Sequence, residues 1–157
     1  MRSVGGARRA GASAAGQPAD GWPADGSAAG GPAAGVVLTS DQLGHELGER
    51  ATLVQFSSAF CAPCRATRRI LADVAGMTEG VAHIEIDAES RLDLVRSLNV
   101  LRTPTVLVAD SQGRLIKRAS GQPRKADVIA AIGQATGEKI PTYLVGKEDS
   151  DSSSPRA

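Results

Sequence analysis

The sequence predicts an α/β fold, a central mixed β-sheet flanked by helices, with disordered tails at both ends. Two observations carry the core of that reading. Short runs rich in Val, Ile and Leu alternate with stretches whose apolar residues recur at helical spacing, the pattern of parallel strands joined by right-handed crossovers. The last two runs instead flank Asp110-Ser111-Gln112-Gly113, a turn-forming stretch that adds an antiparallel hairpin. A third observation bounds the domain. The chain has 157 residues, enough for one core of ordinary size, and residues 1–35 are low-complexity Ala, Gly and Pro.

Residues 1–35 hold too little apolar surface to offset their ordering entropy, so this segment is expected to be disordered. It carries a short repeat, Pro18-Ala19-Asp20-Gly21 and Pro23-Ala24-Asp25-Gly26, and the single tryptophan, Trp22, readable as a partner anchor or as incidental. The folded domain is expected over 36–137. Val36-Val37-Leu38 opens it as a short strand. Thr39 or Ser40 can cap a helix running from Asp41 to about Leu47, with Leu43 and Leu47 on one face, although Gly44 and Gly48 weaken it. The central strand spans 51–57, from Ala51 to Ser57, and a helix carrying Ile70, Leu71 and Val74 follows, from near Cys61 to about Ala75. An exit turn over 76–80 leads to a strand marked by Val81, Ile84 and Ile86 and ending at Asp87. Ser90 caps the next helix, whose Leu92, Val95 and Leu98 share a face and which stops at Asn99. The hairpin strands are expected from Pro104 to Ala109 and from Arg114 to Ala119. Pro123 then opens a last helix with Val128, Ile129 and Ile132 facing inward, ending by Gly137. The expected order is β-α-β-α-β-α-β-β-α.

Composition excludes several functions. The formal net charge of +1 gives no sign of a nucleic-acid-binding surface, and no apolar run approaches the length that spans a membrane. Arg2, Arg8, Arg9 and the alanines around them raise the question of a signal peptide, but Gly, Pro, Ser and Asp interrupt every candidate apolar core. A cytoplasmic location is therefore expected, where a close cysteine pair is more often catalytic than structural.

The chemistry concentrates at Phe60-Cys61-Ala62-Pro63-Cys64-Arg65, which holds the only two cysteines. A thiol at the start of a helix faces unpaired backbone N–H groups and the positive end of the macrodipole, and both favour the nucleophilic thiolate. Cys64 lies one turn on, on the same side, close enough to close a small disulfide ring. Pro63 suits the first turn and stiffens it. The residues imply dithiol–disulfide exchange. A zinc site is the competing reading, but it usually needs four ligands, and only His45 and His83 stand beside the two cysteines. Two inert apolar cysteines are the other, disfavoured by their spacing at a strand-to-helix junction. No metal or other cofactor is expected.

From about Val36 to Gly137, roughly two-thirds of the chain by sequence position, the sequence resembles the thioredoxin family. Phe60-Cys61-Ala62-Pro63-Cys64 is similar to the family's Trp-Cys-Gly-Pro-Cys motif, and Thr103-Pro104-Thr105 to the segment holding its cis-proline. The Asp110–Gly113 turn and Gly121 before the last helix match in register. The resemblance implies a thioredoxin fold. It also implies that Cys61 attacks a substrate disulfide and that the more buried Cys64 resolves the mixed disulfide. Pro104, read from sequence alone, is an ordinary trans proline at a strand start. The resemblance implies instead a cis bond facing the cysteines, with the Thr103 backbone bonding an extended substrate segment.

Departures from the family pattern bear on mechanism. Gln55 stands where the family keeps a buried aspartate, and His83 where it keeps the lysine paired with that aspartate. A Gln55–His83 hydrogen-bonded pair behind Cys64 is expected, with two roles open for His83: proton acceptor, or satisfied strand histidine with no catalytic part. Phe60 replaces a tryptophan and keeps an apolar platform; Arg69 replaces a helix-kinking proline. Arg65, Arg68 and Arg69 either favour the Cys61 thiolate or form a solvated face.

Residues 138–157 are expected to be mostly disordered, with Ile140–Val145 apolar enough to dock on the domain or a partner. The resemblance implies a thiol–disulfide oxidoreductase that reduces protein disulfides as a monomer, taking electrons from a flavin-dependent thioredoxin reductase. Two alternatives stay open: a binding module with weak reductase activity, because Gln55 replaces the acid, and a dedicated reductant of one partner enzyme.

Overall fold

A computed structural model describes residues 35–138. The expected tails therefore lie outside the described residues, apart from Gly35 and Glu138. In chain order the elements are α1 (Ser40–Leu43), β1 (Ala51–Ser57), α2 (Ala62–Met77), β2 (Val81–Asp87), α3 (Leu92–Ser97), β3 (Thr105–Asp110), β4 (Leu115–Ser120) and α4 (Lys125–Thr136). The strands form one mixed sheet in the order β2-β1-β3-β4. β1 and β2 run parallel, with Ala51 opposite Val81 and Ser57 opposite Asp87. β3 runs antiparallel to both β1 and β4.

Every residue of β1 is buried. A central strand covered on both faces has no solvent side, so apolar and polar residues do not alternate along it, and Thr52, Gln55 and Ser57 are buried with the rest. One face, with Ala51, Leu53, Val106 and Val108, packs against Leu71 and Val74 of α2 and Val128, Ala131 and Ile132 of α4. The other, with Val54, Phe56, Ile84 and Leu107, is covered by Leu38, Leu43 and Leu94. On α2, Cys64, Thr67, Leu71 and Val74 are the buried positions, the three- and four-residue spacing of a single helical stripe. α2 extends to Met77, so Gly76 belongs to the helix rather than the exit turn.

Other expectations are corrected. Val36-Val37-Leu38 is not a sheet strand: Val37 makes one antiparallel bridge to Arg114, and Leu38 N donates to the Gly113 carbonyl at 2.8 Å. The sheet accordingly has four strands among the described residues, and its parallel pair is β1–β2. The first helix stops at Leu43, not Leu47. Gly44 adopts φ 72° and donates its N–H to the Ser40 carbonyl, the left-handed cap that ends a helix. At its start Thr39 accepts from Gln42 N while the Gln42 side chain accepts from Thr39 N, a reciprocal capping box. Ser90 does not cap α3. Arg91 occupies the cap position, and the Ser90 hydroxyl donates to Asp87 at 2.6 Å. α4 begins at Lys125, two residues after Pro123.

The register gathers three chain segments at one end of the sheet. Because β3 is antiparallel to β1, Phe56 near the end of β1 lies opposite Thr105 at the start of β3. Thr105 also pairs with Ser120, the last residue of β4. The β1–α2 loop, the residues before β3 and the β4–α4 loop therefore meet there.

Candidate functional site

Shortly after β1, the chain reaches Cys61, the N-cap of α2, with φ −85° and ψ 100°. Its Sγ accepts the Cys64 backbone N–H at 3.2 Å, so a sulfur takes the place of the usual capping oxygen. Cys61 and Cys64 are joined in a disulfide, Cα to Cα 5.2 Å. The two sulfurs differ in access: Cys61 is half-buried, whereas Cys64 is 2% exposed. No acidic residue stands in the first turn of α2, and Pro63 occupies it. Phe60, immediately before, takes φ 60° and is 99% exposed. A phenylalanine in the left-handed region is a strained placement, and here it projects an aromatic ring into solvent beside Cys61.

The Thr103–Pro104 peptide bond is cis. The Thr103 and Ser58 hydroxyls are hydrogen-bonded at 2.8 Å, which ties the loop before Cys61 to the segment before β3. Gly121 N donates to the Pro104 carbonyl at 2.7 Å and brings in the β4–α4 loop. Between these segments lies a groove of about 610 Å³, lined by Pro63 and Ile70 of α2, by 102–104 and by 121–125. Pro63, Thr103 and Pro104 thus share one cavity next to the cysteines.

Gln55 is fully buried, and its Nε2 donates to the Cys64 carbonyl at 2.8 Å. The expected Gln55–His83 pair is not made. In the parallel register Gln55 lies opposite Glu85, and His83 lies opposite Leu53, two residues away. Gln55 Oε1 and His83 Nε2 are both buried without a hydrogen-bond partner. Burial lowers the His83 pKa; Glu85 opposes that shift and Arg68 adds to it, so the ring is held neutral. The structure thus brings Gln55 to the cysteines and leaves His83 one strand away.

Sequence reasoning missed two features. Glu85 accepts from the Ser57 hydroxyl at 2.8 Å and from Arg68 Nη2 at 2.6 Å. Burial alone would raise its carboxyl, but the Arg68 and Ser57 hydrogen bonds outweigh it and hold the carboxyl below its ordinary value. The sequence signal is Glu85 at a position level with Gln55 and within reach of Ser57, legible only once the β1–β2 register is known. The second feature is the basic lining of the groove: Arg102, Arg124 and Lys125.

A family model described as Thioredoxin matches residues 35–134. The chain belongs to the thioredoxin family. This thioredoxin-family chain is 26% identical over 105 residues to thioredoxin from Mycolicibacterium smegmatis, covering 64% of this chain and 93% of that one. It is 27% identical over 86 residues to human thioredoxin domain-containing protein 2, a match covering 55% of this chain but 16% of the human protein. Among solved structures it resembles a mutant thioredoxin from Halobacterium salinarum NRC-1, with a TM-score of 0.53 at 22% identity, covering 59% of this chain and 80% of that one. It also resembles chloroplastic thioredoxin z, with a TM-score of 0.52 at 24% identity and coverage of 57% and 80%. Thioredoxin-family membership and the close cysteine pair together point to thiol–disulfide oxidoreductase chemistry. No helix among the described residues is long and apolar enough to cross a membrane.

Proposed function

We propose that this chain reduces protein disulfides through a reversible Cys61–Cys64 dithiol–disulfide cycle. The observation that carries the reading is the placement of the pair: an accessible cysteine capping α2, joined to a buried one, beside the Pro104 groove. In the reduced chain the Cys61 thiolate attacks one sulfur of a substrate disulfide. The substrate S–S bond breaks, a Cys61–substrate disulfide forms, and one substrate thiolate leaves. Cys64 then loses its proton and attacks Cys61 Sγ, which releases the second substrate thiolate. Two electrons pass to the substrate, and the chain ends in the disulfide form. A dithiol donor of the flavin-dependent thioredoxin reductase class returns it to the dithiol. The working form is a cytoplasmic monomer whose domain spans 36–137.

Thr103 and Pro104 serve this cycle as the wall on which substrate backbone lies, and Phe60 as an exposed apolar rim. Gln55 is a positioning residue: its donor fixes the Cys64 carbonyl, and its amide does not take a proton near neutrality. That last point favours a second reading, a binding module in which the resolving step is slow and partners are held rather than turned over.

A redox titration of the pair across dithiol buffers, read by alkylation and mass spectrometry, tests the proposal. A reversible two-electron step near about −270 mV is expected for a reductant of thioredoxin type. Thiols that never pair would remove the cycle and leave the binding module.

A further inference from the structure

The groove beside the cysteines carries charge of one sign. Its lining includes three cationic side chains, Arg102, Arg124 and Lys125, and no carboxylate. The helix that presents Cys61 adds to this field. α2 contributes Arg65 and Arg69, Arg68 being paired with Glu85, and its first turn, the positive end of the helix, supplies Pro63 to the lining. The acids that Arg124 and Lys125 engage are themselves outside the lining: Arg124 Nε bonds Asp127 at 3.0 Å, and Lys125 pairs with Asp73. Both are surface pairs, with the Arg124 and Lys125 side chains 75% and 44% exposed. Exposed pairs of that kind are weak, so an incoming carboxylate can share or replace them. The rim is apolar. Phe60 and Leu101, 99% and 85% exposed, sit on the two loops that the Ser58–Thr103 hydrogen bond ties together.

We propose that this groove is a specificity surface for acidic polypeptide, so that the chain selects disulfides whose flanking residues are Asp or Glu. The proposal rests on the exchange reading above and narrows its substrate class. An extended acidic segment fits by charge: carboxylates meet the Arg102, Arg124 and Lys125 heads while the cystine reaches Cys61. The step itself is unchanged. The Cys61 thiolate displaces one substrate thiolate, and Cys64 displaces the other.

The test uses the reduced full chain and three peptides that differ only in the residues flanking one cystine: Asp/Glu, Ser or Lys. Single-turnover reduction is followed by quenched alkylation at low and high salt. An uncharged small disulfide reports exchange itself. At low ionic strength the acidic peptide should react about tenfold or more faster than the basic one, with the neutral peptide between. The ratio should fall toward one at about 0.5 M salt, where screening reaches within a few Å. In a combined Arg102→Ser, Arg124→Ser, Lys125→Ser variant the acidic-to-basic ratio should collapse. Equal rates for the three peptides at low salt overturn the proposal, as does a ratio that survives salt or the triple substitution. Should the small disulfide go unreduced, the exchange reading fails by itself. The groove is then decided by fluorescence anisotropy of dye-labelled Ser-for-Cys peptides on the oxidised chain: preference for the acidic one supports the surface, and equal binding overturns it.

Discussion

Cys61 and Cys64 are chemically identical residues whose surroundings separate their roles. Cys61 Sγ caps α2 and accepts the Cys64 N–H, a donor that strengthens its hold as the sulfur becomes anionic, whereas Cys64 is 2% exposed. Reduced protein titrated with an alkylating agent should therefore react first at Cys61, with an apparent pKa well below the roughly 8.5 of a free thiol. Equal labelling of both sulfurs, or a normal pKa at Cys61, would contradict the assignment. His83 makes a different prediction. Its pKa is lowered from 6.5, chiefly by burial, with Glu85 and Arg68 the charged groups facing it. A histidine whose folded pKa is depressed binds its proton more readily unfolded. Its contribution to stability is complete above about 6.5 and is lost as pH falls through the folded value. Denaturant unfolding should show stability declining as pH falls below about 6.5, and His83→Gln should flatten that slope. A His83→Gln profile parallel to wild type below that pH would remove His83 as the cause.

At the scale of elements, the turn between β3 and β4 is where one backbone atom decides the packing. Gly113 holds φ 75°, and a Cβ there would lie 2.0 Å from the carbonyl oxygen of Leu38, the neighbour that also donates its N–H to Gly113. Gly113→Ala should lower stability by more than about 1 kcal/mol, because it adds both left-handed strain and a backbone clash. Thermal unfolding with an unchanged midpoint would show that residues 36–38 move aside freely. The same spot explains what sequence can and cannot disclose. β1, β2 and the hairpin are legible because buried β-branched runs and a turn stretch are local signals. Val36-Val37-Leu38 carries the same local signal, yet it only bridges Arg114, since its place depends on a hairpin that lies far along the chain. The end of α1 is not legible, because Leu47 keeps the helical period after Gly44 has already turned the chain. The site divides in the same way. The cysteines and Pro63 stand in one motif, whereas Gln55, Glu85 and the groove cations come together only through strand register and the β4–α4 loop.

At the scale of the whole molecule, the site depends on a sheet that is covered on both sides. α2 and α4 close one face over Leu53, Val106 and Val108, and Leu38, Leu43 and Leu94 close the other. Among the described residues, both clusters of buried residues lie between Leu38 and Ile132. At the boundary, Arg50 and Glu138 form an ion pair at the surface, of the kind that contributes about 0–1 kcal/mol. If 36–137 is the folding unit, a fragment of those residues should unfold cooperatively, with a midpoint within a few degrees of the full chain. Its Cys61–Cys64 potential should also match, because the groups bonded to the pair, Gln55 among them, are retained. A fragment that folds but shifts in potential by about 30 mV, or roughly 1.4 kcal/mol, would assign the missing segments a part in the redox site. A fragment that fails to fold while the full chain folds would place part of the core beyond residue 137 or before residue 36, and Ile140–Val145 would be the first segment to restore.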